Sequence, residues 1–389
     1  MGVGKLIGNT LFTSIIIVLF VISGILANVA WLCLTPLWFI NRHLYRSYCK
    51  HITTAWFRII IFIPVVWGGS KCTLYTSDKL EEVCGKESAI FIANHRYTHD
   101  WLLDFIAADR YDMLGQCKAF IKSEVAAVPL LGWAMWFNEF GFLTRSKSKQ
   151  DLATLHQASA HFRSYTEPVW LLLYPEGTRF TDEKHQASVE FAKSKNIAHY
   201  NNLLVPRAKG FNELTSSLKG SNVSAIYDCT FFMENDYDVP LPHWLRGNPS
   251  NYSVVVTRID LDQVPTDADE AKRFLNDLFA EKDALLNQMM TNPTADSFVI
   301  ETSRFYNEPM VKRPMSPKQY WRPFLTTAVW FAIIMLPLIR MCLMYALASF
   351  KHFRNFVLIM ITMNMAVLAF INFVTGKSNY GKKENKKKQ

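Results

Sequence analysis

Apolar and polar positions are distributed unevenly along the 389 residues. Residues 6–41 carry no charge, a run of 36 positions. As one helix this would be about 54 Å long, against a hydrocarbon core of roughly 30 Å. It therefore reads as one membrane span with an interfacial extension, or as two helices bent near Gly24 or Pro36. It is too long for the apolar region of a signal peptide. Residues 42–58 then set Arg42, Arg46, Lys50 and Arg58 among aromatics, the pattern of an interfacial segment. Near the other end 323–339 is uncharged, Arg340 interrupts, 341–350 continues, and 355–376 is an uncharged run of 22 residues. These predict a helical transmembrane hairpin, with Arg340 snorkelling or packed inward.

Between the apolar ends the pattern changes. Short apolar runs at 89–93, 169–174, 223–230 and 252–259 are bounded by turn-formers and predict buried strands. Helical stretches lie between them. Thr266 with Asp269 has the form of a capping box opening a helix whose Ala271, Phe274, Leu275, Leu278, Leu285 and Leu286 make an apolar stripe. Strands alternating with helices predict an α/β domain. The organisation that follows is a membrane anchor and interfacial segment over 1–70, a catalytic domain over 71–300, and a hairpin with a basic tail over 301–389. Residues 125–138 are uncharged, hold Trp133, Trp136 and Phe137, and precede Glu139. Fourteen residues are too few to cross a bilayer, so this is a core helix, a re-entrant segment or the lining of an acyl channel.

Composition agrees with the pattern: 50% of residues are hydrophobic and only 19% charged, below the roughly 25% usual for soluble domains. This excludes intrinsic disorder, a collagenous fibre and a disulfide scaffold. The formal charge of +9 suits an anionic membrane, a phosphorylated substrate or nucleic acid. Nucleic acid is disfavoured, since no zinc-finger spacing, RNA-recognition signature or basic zipper is present. The basic residues instead flank the hairpin: Lys312, Arg313, Lys318 and Arg322 before it, Lys377, Lys382 and Lys383 after it. Two cytosolic flanks joined by two spans satisfy the positive-inside rule. The chain ends Lys386-Lys387-Lys388-Gln389, which has the form of a dilysine retrieval signal of the endoplasmic reticulum, read by a coat through Lys386 and Lys387. Seven scattered cysteines, none in a CxxC, indicate neither zinc nor a disulfide framework.

The candidate chemistry begins after the strand at 89–93, with Asn94-His95-Arg96-Tyr97-Thr98-His99-Asp100. On one helix, positions i and i+5 point about 140° apart. His95 and Asp100 therefore meet only if the histidine is in the loop and the aspartate in the first turn of the next helix. There the carboxylate would hold one imidazole nitrogen as N–H and leave the other free as a base. His99 and Asp104 have the same spacing. The strand at 169–174 runs into Pro175-Glu176-Gly177-Thr178-Arg179, whose backbone N–H groups, hydroxyl and guanidinium could clamp a phosphate. Two further basic loops contain Gly141, Thr144 and Arg145, and Val205, Pro206 and Arg207.

Taken in order, Asn94-His95-x4-Asp100, Gly141 to Arg145, Glu176-Gly177-Thr178-Arg179 and Val205-Pro206-Arg207 resemble the four blocks of the glycerolipid acyltransferase family. The resemblance is closest to eukaryotic 1-acylglycerol-3-phosphate acyltransferases with a C-terminal membrane hairpin. It extends through Tyr227-Asp228 and Glu281-Lys282-Asp283, covering residues 85–375. It implies a mixed central sheet with flanking helices, His95 as general base and Asp100 as its orienter. It implies that Lys122 lies near the substrate phosphate, that Arg145, Glu176, Gly177, Thr178 and Arg179 hold the acyl acceptor, and that Pro206 shapes the last block. No role transfers to His99 or Asp104.

The chemistry is consistent with that implication. An alcohol attacking a thioester needs a base in hydrogen-bond reach, and a thiol with a pKa near ~8.5 leaves without a strong acid. No GxSxG elbow supplies a serine nucleophile. The expectation is direct transfer from acyl-CoA, a co-substrate, to a lysophospholipid, with no cofactor and no metal. Relatives acting on larger head groups often have Asp where Arg179 stands. A bidentate arginine favours a phosphomonoester, hence lysophosphatidic acid as acceptor and phosphatidic acid as product. The alternatives are another lysophospholipid such as lysophosphatidylinositol or lysocardiolipin, a CoA-independent transacylase or phospholipase, and a catalytically silent membrane adaptor. The expected location is the endoplasmic reticulum membrane, multi-pass, with the catalytic domain in the cytosol.

Overall fold

The computed structural model describes residues 3–144, 148–234, 238–348 and 350–374. With no charge to place between residues 6 and 41, the first helix, α1 (Val3–Ile40), runs unbroken through both Gly24 and Pro36. The chain turns at Asn41, whose side chain accepts the Leu44 N–H at 3.0 Å and so opens α2 (Arg42–Phe62). Gly24 makes room rather than a bend: a Cβ there would lie 2.9 Å from the Trp56 ring of α2. Trp56 is also flanked by Phe20 and Trp31, so the two helices close on an aromatic seam.

The basic residues of the segment expected to be interfacial, 42–58, find protein partners. Arg42 and Arg46 reach Glu139 at 2.8 and 2.7 Å, Lys50 reaches Glu167 at 2.5 Å, and Arg58 reaches Asp109 at 2.8 Å. Each basic residue of α2 that was expected to face lipid headgroups meets a carboxylate of the globular part. Both ends of α1 touch that part as well, through Asn9 to the Arg246 carbonyl and through Trp38 to Glu139. Residues 3–67 thus lie along the globular domain and share its core.

The domain is built on one nine-stranded sheet in the order β4-β3-β5-β2-β6-β7-β1-β9-β8. In chain order its elements are β1 (Cys72–Thr76), α3 (Asp78–Val83), β2 (Ser88–Ala93), α4 (Asp100–Arg110), β3 (Cys117–Lys122), α5 (Leu131–Phe137), β4 (Gly141–Leu143) and α6 (Ser148–Arg163). Next come β5 (Trp170–Leu173), α7 (Asp182–Ser194), α8 (Ala208–Leu218), β6 (Val223–Met233), α9 (Leu241–Leu245), β7 (Tyr252–Asp260), α10 (Ala268–Thr291), β8 (Ser297–Phe298) and β9 (Met310–Arg313). Strands β4, β3, β5, β2 and β6 are parallel to one another, whereas β7 is antiparallel to β6. The sheet is therefore mixed, and the four strands expected from the sequence include its centre. Along β2 the side chains alternate, Ala89, Phe91 and Ala93 into the core shared with α1 and α2, Ile90 and Ile92 into the core under α8 and α10. The sheet continues past residue 300, since β9 pairs with β1 through Leu74 and Arg313.

The apolar stripe of α10 is buried as expected, but its cap is Asp267 rather than Thr266. The Asp267 carboxylate accepts the N–H groups of both Asp269 and Glu270, which a threonine one residue earlier cannot reach. Residues 125–138 are not a core helix. They form a short turn and α5, which packs Ala134 and Phe137 inward, while Trp133 and Trp136 are 64% and 63% exposed. The described residues close with α11 (Pro317–Ala348) and α12 (Phe350–Val374), the expected hairpin. Arg340 is exposed on α11 rather than packed inward. Trp330 of α11 donates to the Ala55 carbonyl at 3.1 Å and so ties the hairpin to α2.

Candidate active site

The loop after β2 puts the first histidine and its aspartate together. Asp100 opens α4, fully buried, and its Oδ2 lies 3.0 Å from His95 Nδ1. The same oxygen accepts the Tyr97 N–H at 3.0 Å, which fixes the carboxylate against the first turn of the helix. Burial pushes the Asp100 carboxyl above its usual range, and the bonds from His95 and Tyr97 pull against that. Asn94 has its own reason to precede the histidine. Its side chain donates to the Phe231 carbonyl at 3.1 Å and accepts the Phe231 N–H at 2.8 Å, standing in for one more rung between β2 and β6. His95 is thereby held at the rim of the sheet, 22% exposed, its Nε2 without a hydrogen-bond partner among the described residues.

His99 and Asp104 part ways. His99 Nδ1 donates to the Val239 carbonyl at 3.1 Å, the ring is buried against Trp244, and burial lowers its pKa. Asp104 turns to the Tyr174 hydroxyl, which donates to its Oδ2. Burial pushes Asp104 up to about 8, with Tyr174 pulling down and Asp100 pushing further up. The Tyr174 ring in turn lies 4.7 Å from the His95 ring, so the second aspartate reaches the site only through a tyrosine.

The turn after β5 behaves differently from the sequence expectation at Glu176. Its carboxylate accepts the N–H of His95 at 2.7 Å and of Leu204 at 3.0 Å, with only 3% of the residue exposed. Glu176 therefore cross-links three loops instead of facing an acceptor. Burial pushes it up to about 8, and the two N–H donors pull it down. Gly177, at φ 69°, lets the turn close. Arg179 donates to the Thr98 hydroxyl and to the Asp238 carboxylate. Asp238, which sequence reasoning missed, also accepts the Thr98 N–H at 2.7 Å. Thr178 accepts from Lys184 at 2.7 Å. Pro206 is buried beside Arg207, whose N–H donates to the Pro175 carbonyl at 2.8 Å and so lays the last block across the turn.

Lys122 is exposed at the C-terminal end of β3, the same edge of the parallel strands from which His95 and Glu176 emerge. Arg145 lies outside the described residues, as do Lys386 and Lys387 of the tail. The downstream residues of the pattern are structural. Lys282 pairs with Asp228 at 2.9 Å, both without exposed surface, and donates to the Cys229 carbonyl. Asp283 accepts the N–H groups of Asn201 and Asn202 at 2.9 and 2.7 Å, fixing the loop that leads to Leu204.

This geometry can be set beside known proteins. Residues 71–228 match the Acyltransferase family and residues 243–330 its companion, Acyltransferase C-terminus. The 1-acyl-sn-glycerol-3-phosphate acyltransferase delta of Bos taurus is 32% identical over 95% of this chain and 94% of its own length. The Homo sapiens protein of that name is 30% identical over the same shares. The gamma protein of Mus musculus is 36% identical over 68% of this chain and 70% of its own. The crystal structure of the 1-acyl-sn-glycerophosphate (LPA) acyltransferase PlsC from Thermotoga maritima aligns with 69% of this chain and 98% of its own at a TM-score of 0.42 and 14% identity. That likeness is too loose to carry a role for any residue. With close to its whole length matched by the delta proteins at 30% identity or more, the chain belongs to the 1-acyl-sn-glycerol-3-phosphate acyltransferase family and is an acyltransferase.

Proposed function

We propose that the chain transfers a fatty acyl group from acyl-CoA to the sn-2 hydroxyl of lysophosphatidic acid, with His95 as the base and Asp100 as its orienter. The observation that carries this reading is the 3.0 Å contact of His95 Nδ1 with a carboxylate that has no exposed surface. A proton held at Nδ1 leaves Nε2 as the basic nitrogen, and that nitrogen has no competing partner among the described residues. As Nε2 takes the hydroxyl proton, the alcohol oxygen bonds to the thioester carbon. The tetrahedral intermediate collapses with loss of the C–S bond, and the sulfur leaves as a thiol carrying the proton from His95. Asp100 stabilises the imidazolium formed in between without itself accepting the proton.

Lysophosphatidic acid as acceptor is supported by the names of the relatives and by exposed basic side chains around the site, Lys122 and Arg207 among them. Both substrates carry acyl chains, and the exposed apolar residues of α1 and α11 would keep the site beside the bilayer that concentrates them. The location we propose is the endoplasmic reticulum membrane, with the catalytic domain cytosolic. The test is an acyltransfer assay on the purified full-length chain, with radiolabelled acyl-CoA and a panel of lysophospholipids. Labelled phosphatidic acid as the main product is the expected result. Product only with another head group would replace the acceptor, and no CoA-dependent product would end the reading.

A further inference from the structure

A phosphate needs a cation that no carboxylate has already neutralised, and the cations around the turn after β5 differ in this respect. Arg179 is engaged by Asp238, and Lys184 by the Thr178 hydroxyl and the Arg179 carbonyl. Arg96 donates to the Asn202 carbonyl at 3.3 Å and lies over the Phe180 ring. The Arg207 side chain has no hydrogen-bond or ion-pair partner among the described residues, and the residue is exposed.

Arg207 is nevertheless held in place. Its N–H is fixed to the Pro175 carbonyl at 2.8 Å. Its side chain lies across Gly177 so closely that a Cβ there would sit 2.9 Å from Nε, 3.0 Å from Cδ and 3.1 Å from Cζ. Gly177 thus has a second duty beyond its φ of 69°, that of leaving room for a guanidinium over the turn. The neighbouring Glu176 bonds the His95 N–H, so this guanidinium and the base are mounted on the same turn. A planar fork of N–H donors lying over the turn, unmatched by a carboxylate among the described residues, is suited to the oxygens of a phosphate.

We propose that Arg207 is a specificity-determining residue that binds the phosphomonoester dianion of a substrate, while Arg179, already paired, braces the turn against the His95 loop. The proposal rests on the functional reading above. A phosphomonoester occurs both on lysophosphatidic acid and at the 3′ position of CoA, so the ligands must separate the two.

The experiment is equilibrium binding to the full-length protein in detergent micelles, wild type against Arg207→Gln. The four ligands are lysophosphatidic acid, monoacylglycerol of the same chain, CoA and dephospho-CoA. One phosphate-bearing ligand is expected to bind the variant about tenfold or more weakly, the loss of a charged hydrogen bond, while its dephosphorylated partner is unaffected. Which pair responds identifies the source of the phosphate. Arg207→Lys, which keeps the charge and loses the fork, is expected to fall between. Unchanged binding of both phosphorylated ligands, or equal weakening of a ligand and its dephosphorylated partner, would overturn the proposal. Binding is read without turnover, so a wild-type chain lacking acyltransfer would end the functional reading and leave this measurement interpretable.

Discussion

Two histidines four residues apart show how little spacing alone decides. Both have an aspartate five residues on, but only His95 meets its own, and His99 serves the Val239 carbonyl from a buried position. His95→Ala is therefore expected to lower the acyltransfer rate by about 10²-fold or more, and His99→Ala to leave most of it per folded molecule. Initial rates on material checked by size exclusion decide this, and equal losses would return the base to either histidine. Asp104 gives a prediction with a sign. Its folded pKa of about 8 lies far above the ordinary 3.8, so between those values the native state holds a proton that the unfolded chain has shed. Its effect on stability is thus most favourable at low pH and declines as pH rises, by at most about 1.4 kcal/mol per unit. Melting curves from pH 5 to 7.5 should fall for the wild type and fall less steeply for Asp104→Asn. Glu176, also raised to about 8, keeps part of the slope. At this scale the dyad was legible, because a strand, a loop and a helix start are all local signals. Asp238 was not, because its bond to Thr98 closes 140 residues of sequence and no motif surrounds it. Glu176 was legible as important and misread in its role, since a carboxylate that accepts backbone N–H groups looks in sequence like one that faces a ligand.

At the level of elements, the four basic residues of α2 were read as membrane-facing because a single sequence does not display their partners. Glu139, in the left-handed region at φ 58°, follows α5 and is the knot of that packing. Its carboxylate receives Arg42 and Arg46, and the Tyr165 hydroxyl donates to it at 2.7 Å, with the Arg46 guanidinium 3.7 Å above the Tyr165 ring. Burial opposes ionisation of Glu139, but Arg46, Tyr165 and Arg42 together hold it down at about 2. The stability it contributes is present above the ordinary 4.5 and is lost as pH falls from there toward 2. Glu139→Ala leaves Arg46, 7% exposed, without its carboxylate, an uncompensated charge costing about 3–5 kcal/mol. The expected result is a large drop in denaturation midpoint at pH 7 that shrinks as the wild type is itself brought below pH 4. A drop that stays the same at both pH values would show that packing, not the ion pairs, fastens α2. By contrast the buried strand β2 and the stripe of α10 were readable directly, since a short apolar run between turn-formers and a period of 3.6 survive whatever packs above them.

At the scale of the whole molecule, large apolar side chains remain exposed on α1, α5 and α11. Leu32, Phe39 and Ile40 of α1, Trp133 and Trp136 of α5 and Ile333 and Leu336 of α11 are all exposed, far more apolar surface than water tolerates on one protein. Among the described residues Gly8–Ile40, Arg42–Trp67 and Pro317–Ala346 are each long and apolar enough to cross a membrane, and the hairpin of α11 and α12 is the one with basic clusters on both flanks. Its first helix is preceded by Lys312 and Arg313 and holds Lys318 and Arg322 in its opening turns, and a lysine-rich tail follows the second. The cytosolic orientation proposed above puts both flanks on that side, and with them the sheet that leads through β9 into α11. The sequons at Asn222 and Asn251 should accordingly carry no glycan when the chain is made on microsomes. Both amides are already engaged, Asn222 with the Tyr165 carbonyl at 2.6 Å and Asn251 with Glu234 at 3.1 Å, so folding could also hide them. A tag appended to the C-terminus removes that ambiguity. Protease added to sealed microsomes should digest it without detergent, whereas a protected tag, or glycan on either asparagine, would place the catalytic side in the lumen.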